Sequence, residues 1–141
     1  MMARFIDILT LKELATQSAC VAIDCRCLRW NLEGWAAWPL SYCEEDFAQM
    51  GTLVQSTPEE ATLQEFHPAA TDYWSSSAPI APQFYPYNQS TVWRCCSCER
   101  IYLRHTDDGA YHVAPRIRLL QVSLIVDAVQ ANDCKRSTAT G

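Results

Sequence analysis

The chain is 141 residues long, 49% hydrophobic, and carries a net charge of −5. That length can bury one real core and sets one domain as the expectation, while the absence of any run of 18 apolar residues excludes a hydrophobic helical membrane span. The acidic balance argues against a protein built mainly to bind phosphate backbones, which require a basic footprint.

Asp7, Lys12 and Glu13 interrupt the stretch after Met1 that would otherwise form an apolar signal core, so a cytoplasmic location is expected. In that compartment the eight cysteines are read as reduced thiols, some buried and some holding metal, rather than as a disulfide framework.

Thr10-Leu11-Lys12-Glu13 has capping-box spacing and predicts a helix over 11–17, with Leu11, Leu14 and Ala15 as its apolar positions. Residues 20–24 and 25–30 read as strand, and Asn31-Leu32-Glu33-Gly34 as a turn. Ser41 and Glu44 repeat the capping-box spacing and predict a short helix that Gly51 stops. Thr57-Pro58-Glu59-Glu60 reads as a helical turn or loop, and 62–66 as a brief strand. Trp30, Trp35 and Trp38 are read as a turn clamped by aromatics.

Between His67 and Ser90 the prolines Pro68, Pro79, Pro82 and Pro86, with Ser75-Ser76-Ser77, prevent any long regular element. The same stretch carries Tyr73, Trp74, Ile80, Phe84, Tyr85 and Tyr87, too much apolar area for a disordered tether. It is expected to lie packed against the domain as an irregular belt.

Residues 91–95 and 100–106 then read as strands, Asp107-Asp108-Gly109 supplies turn chemistry, and 110–114 returns as the hairpin partner. Alternation sends Ile101, Leu103 and His105 to one face and Tyr102, Arg104 and Thr106 to the other, so one face should pack on the core while the other presents Tyr and Arg. His105 and His112 are expected as cross-strand neighbours. Pro115-Arg116-Ile117-Arg118-Leu119-Leu120 suits a helical turn, and 124–126 a last short strand. The expected fold is therefore α+β, a single domain over 1–130 with a central zinc-ribbon-like hairpin and a few short helices, followed by a flexible tail over 131–141.

Cys95-x-x-Cys98 at the head of that hairpin is half of a metal site, because a turn of this spacing brings two thiolates to one tetrahedral ion. Cys25 and Cys27, two apart on a predicted strand, would share a face and complete a four-sulfur set for zinc. Cys43 and His67 are substitute ligands. Cys96 would face away from the site, and Cys20, Cys43 and Cys134 have no role beyond packing or tail.

The strings Tyr73-Trp74-Ser75, Ala78-Pro79-Ile80-Ala81-Pro82, Tyr85-Pro86-Tyr87-Asn88, Trp93-x-Cys95-x-x-Cys98-x-Arg100-x-Tyr102-Leu103-Arg104, Gly109-x-Tyr111 and Arg116-Ile117-Arg118 resemble a group of small proteobacterial proteins. That group is associated with immunity proteins of type VI or contact-dependent toxin secretion systems. The chain departs from its pattern at Glu99, where Gly is usual, at His105, where Tyr is usual, and at Ser90, where a Cys often sits. The resemblance implies a cytoplasmic protein that neutralises a cognate toxin and has no chemistry of its own, in keeping with a sequence that shows no complete catalytic signature.

Charge supplies a candidate contact surface. Residues 1–93 hold 4 Lys and Arg against 11 Asp and Glu, and Glu44, Glu45, Asp46, Glu59 and Glu60 are the acids expected to face a basic partner. The alternative function is a zinc-ribbon adaptor that binds nucleic acid or a larger assembly through Arg94, Arg100, Arg104, Arg116 and Arg118 with Tyr102, where residues 94–118 hold five Arg against three acids. An enzyme is not expected.

Overall fold

In the computed structural model, which describes residues 4–55, 60–108 and 113–128, helix α1 (Ile8–Ala19) begins three residues before the predicted start at Leu11. Asp7 is the reason. Its side chain accepts the Thr10 N–H at 2.8 Å, so Thr10 is a donor inside the first turn rather than the cap. Leu11, Ala15 and Ser18 form the buried stripe of the helix, at the four- and three-residue spacings that put side chains on one face.

The strand expected over 20–30 does not form. Arg26–Leu28 is a single 3₁₀ turn, because the backbone bonds locally: Leu28 N–H to the Cys25 carbonyl at 3.0 Å and Arg29 N–H to the Arg26 carbonyl at 3.1 Å. After the bend at Glu33-Gly34 comes a two-residue strand, β1 (Ala36–Ala37). The helix expected after Ser41 is also replaced. Glu44–Asp46 makes one 3₁₀ turn and Phe47 opens strand β2 (Phe47–Thr52). Gly51 lies within that strand, not after a helix. A Cβ there would stand 2.4 Å from the Arg4 carbonyl oxygen and 2.6 Å from Ile6, so the position needs glycine for close approach. The stretch 62–66, expected as strand, is irregular; it is held by the belt through Asn88 to the Thr62 carbonyl and Tyr85 N–H to the Gln64 carbonyl.

Strand β3 (Thr91–Cys95) forms where expected, and β4 (Ile101–Asp108) does so but runs on through Asp107 and Asp108, expected as turn, which pair with Ala114 and Val113. Strand β5 (Val113–Leu119) runs through Pro115, where a helical turn was predicted. Proline is tolerated because the Pro115 carbonyl accepts Trp38 N–H at 3.0 Å on the β1 side; its nitrogen faces that same side, and no bond to β4 is lost. His105 pairs across the ladder with Arg116 rather than with His112, which lies outside the described residues, as do Gly109 and the 131–141 tail. The expected strand at 124–126 is a 3₁₀ turn over Val122–Leu124 followed by a bridge between Ile80 and Ile125.

The five strands make one antiparallel sheet in the order β1-β5-β4-β3-β2. With one helix and four 3₁₀ turns among the described residues, the chain is a small α+β domain.

The expectation of one buried face and one exposed face fails, since both faces are covered. On the first, Val92, Ile101 and Leu103 pack with Ile6, Leu11 and Ala15 from the helix side and with Trp35, Ile80 and Tyr87. On the second, Tyr102 and Ile117 pack with Phe47, Leu32 and four cysteine-bearing positions. The belt is packed down as expected, with Ala78, Ile80, Ala81, Phe84 and Tyr87 buried.

Arg118 fastens the belt to the sheet. Its guanidinium is 0% exposed and donates to the carbonyls of Glu33, Ser76 and Ala78 at 2.8, 3.1 and 2.9 Å and to the Tyr87 hydroxyl. Three carbonyls and a phenol thus satisfy a buried cation that has no carboxylate among these contacts. Among the described residues no helix is long and apolar enough to cross a membrane.

Candidate metal centre

Strand β3 ends on Cys95, and the chain reverses through Cys96 and Ser97 to enter β4 after Arg100. Two backbone bonds close this knuckle, Cys95 N–H to the Arg100 carbonyl and Glu99 N–H to the Cys95 carbonyl, both 2.8 Å. Glu99 takes a φ of 73° to complete it, a left-handed conformation that glycine adopts without steric strain.

The turn aims N–H groups at sulfur. The amides of Ser97 and Cys98 favour a thiolate at Cys95, and the amide and guanidinium of Arg100 favour one at Cys98. The 3₁₀ turn at Arg26–Leu28 faces this knuckle from the second side of the sheet. There Cys27 Sγ receives the Tyr102 hydroxyl at 2.9 Å, while Tyr42 donates to the Cys27 carbonyl at 2.7 Å.

Four sulfurs converge. Cys25 Sγ lies 3.7 Å from Cys95 Sγ, Cys27 Sγ lies 3.6 Å from Cys98 Sγ, and all four are within 4.8 Å of one another. A tetrahedral tetrathiolate with metal–sulfur bonds of about 2.3 Å has sulfur–sulfur edges of roughly 3.8 Å. The spacing fits a single ion, and these four residues lie close enough to bind one. The two halves come from a 3₁₀ turn and a knuckle, not from a strand and a knuckle. A 3₁₀ turn places Cys25 at its mouth and Cys27 within it, so the sequence indicated the right cysteines through the wrong element.

Protonation follows from burial. Desolvation pushes the thiols of Cys27 and Cys95 up, with the hydrogen bond from Tyr102 opposing at Cys27 and the Cys98 and Ser97 amides opposing at Cys95. At Cys98 burial raises the pKa too, but the interactions with Arg100, Cys27 and Cys25 together outweigh it and the thiol is lowered. The same pairing raises the guanidinium of Arg100 against its own desolvation. Neighbouring thiols favour ionisation at Cys98 and hinder it at Cys27 and Cys95, and a bound cation overrides that difference because coordinated thiols are deprotonated outright.

Neither substitute ligand joins the cluster. Cys43 is exposed, and His67 is engaged by Thr71 and Glu65, each at 2.7 Å. Cys20 and Cys96 are exposed as well.

The acids expected to meet a partner are Glu44, Glu45 and Glu60, all exposed, and Asp46, which is half-buried; Glu59 lies outside the described residues. Glu44 pairs with Arg104 at 3.3 Å and Asp46 with Arg26 at 3.9 Å. Arg104 is in turn held over the rings of Trp38 and Trp93, 4.2 and 4.7 Å from their centroids.

The arginine and tyrosine set of the adaptor reading is dispersed. Tyr102 and Arg118 are fully buried on opposite faces, and Arg100 donates to the Val21 carbonyl. Burial of Tyr102 beside a sulfur is the functional feature that alternation alone missed, since the same alternation assigned it to an open face.

No family model, curated protein or solved structure matches this chain.

Proposed function

We propose that Cys25, Cys27, Cys95 and Cys98 bind one zinc ion as a structural centre, and that the domain it closes is a cytoplasmic immunity protein that captures a basic protein toxin. The convergence of four sulfurs within 4.8 Å carries the metal reading. Zinc suits an all-sulfur tetrahedral set and has no redox chemistry of its own, as a purely structural ion requires. Support for the partner comes from the acidic excess over residues 1–93 and from its display: Glu45 and Glu60 are exposed, and Glu44 is anchored through Arg104 to two tryptophans. An anchored acidic patch steers a basic partner and contributes little to folding.

The test is co-expression with the product of the adjacent reading frame. Co-purification and rescue of growth are expected, and charge reversal at Glu44, Glu45 and Asp46, or at Glu59 and Glu60, should weaken capture while leaving the melting temperature nearly unchanged. A toxic neighbour that is neither bound nor neutralised ends this reading of the partner, and less than 0.1 zinc per purified chain, on the order of contamination, ends the metal reading.

A further inference from the structure

The metal centre is not equally shielded at its four sulfurs. Cys27, Cys95 and Cys98 are 5%, 2% and 4% exposed, and the Tyr102 hydroxyl is bonded to the Cys27 sulfur. Cys25, by contrast, is partly exposed and opens on a cavity of about 60 Å³. Cys95 and Cys27 also line this cavity, whereas Cys98 does not, and Arg26, Arg29, Asp46 and Ser97 form part of its wall. That volume admits a few water-sized molecules, so a small oxidant reaches sulfur here and a bulky one does not. Cys95 Sγ is 3.7 Å from Cys25 Sγ, close enough for a bond of about 2.05 Å to form after modest side-chain rotation.

Building on the metal reading, we infer that Cys25 is an oxidation site for hydrogen peroxide, and that its bridging to Cys95 releases the ion. Cys25 Sγ attacks one peroxide oxygen, the O–O bond breaks, hydroxide leaves and a sulfenic acid forms. Cys95 Sγ then attacks that sulfur, the S–O bond breaks and a second hydroxide leaves as the S–S bond forms. The two thiolates give up two electrons, the peroxide gains two, and two solvent protons turn both hydroxides into water. Cys27 and Cys98 remain as the only two ligands, and the divalent ion departs.

The test uses the full chain carrying C20S, C43S, C96S and C134S, which leaves only the four cluster thiols, loaded with one equivalent of zinc and treated with hydrogen peroxide. Zinc release is followed with a chromogenic chelator and disulfides are mapped by peptide mass spectrometry. One zinc should leave per Cys25–Cys95 bridge, with Cys27 and Cys98 still open to alkylation after release, and a thiol reductant should restore binding. Adding Ser97→Phe at the cavity wall should slow release about tenfold, because oxidation follows access to the thiolate. A first bridge between Cys27 and Cys98, release without any bridge, or an unchanged rate in the Ser97→Phe variant overturns the inference. A chain that takes up no zinc yet bridges Cys25 to Cys95 under peroxide refutes the metal reading and the release step but upholds the oxidation site, and one that takes up zinc and bridges elsewhere refutes this inference alone.

Discussion

Removing the metal is expected to lower the melting temperature by about 13 °C, a magnitude that follows from chain length between the ligands. The sulfur contacts join residues 70 and 71 positions apart. Closing a loop of that size in the unfolded chain costs about 4 kcal/mol by the chain-entropy relation for a covalent cross-link, and an ion that binds only the folded chain supplies a comparable constraint. With an unfolding entropy of about 2.1 cal/mol/K per residue, a chain of 141 residues has roughly 300 cal/mol/K at its midpoint, so 4 kcal/mol corresponds to about 13 °C. The assay is a thermal melt of the reduced protein with and without a strong chelator, beside elemental analysis. Cys98→Ser should hold little zinc, melt near the chelated parent and show no further loss with chelator. A parent that carries about one zinc but melts within about 2 °C of its chelated form would refute the linkage between the ion and the fold.

Tyr102→Phe keeps the buried ring and removes the hydroxyl that donates to Cys27 Sγ at 2.9 Å; zinc affinity measured by chelator competition should fall about 10- to 100-fold. Arg118→Met leaves the carbonyls of Glu33, Ser76 and Ala78 without their donor, and denaturant unfolding should show a loss of about 3 kcal/mol or more. Glu99→Gly relieves a φ of 73° and should stabilise the zinc-loaded protein by about 0.5–1 kcal/mol, read as a higher denaturant midpoint at unchanged slope.

What was legible in the sequence was strongly local. The knuckle at Cys95-x-x-Cys98 and the alternation over 101–106 are written in adjacent residues, and strands β3 and β4 form there. Capping signals misled where a competing residue stood nearby. Asp7 captured the Thr10 amide and moved the start of α1, and the Ser41 to Glu44 spacing announced a helix where Phe47 and Gly51 instead pair against β3. The burial of Tyr102 and Arg118 was hidden for a different reason. Their fate depends on what covers each face of the sheet, and those covers come largely from residues 6–53 and from the belt, far away along the chain. In the same way, the sequence named Cys25 and Cys27 but could not show that a 3₁₀ turn would carry them.

The path between α1 and the cysteine turn has a consequence for how the molecule is made. Ser18, at the end of the helix, accepts the Ile101 amide at 3.0 Å, and nine residues later Cys27 meets Tyr102 from the opposite face of the sheet. Residues 18–27 therefore pass around the end of the sheet where β3 turns into β4, and both anchors of that passage lie on β4, 83 and 75 residues further along the chain. During synthesis the helix and the first cysteine pair emerge with nothing to fasten to. Such distant pairings make folding slow, because loop-closure entropy is spent before the contacts that reward it exist. For that interval Cys25 and Cys27 are open thiols, so the chain's exposure to stray metals and oxidants is greatest before the sheet exists.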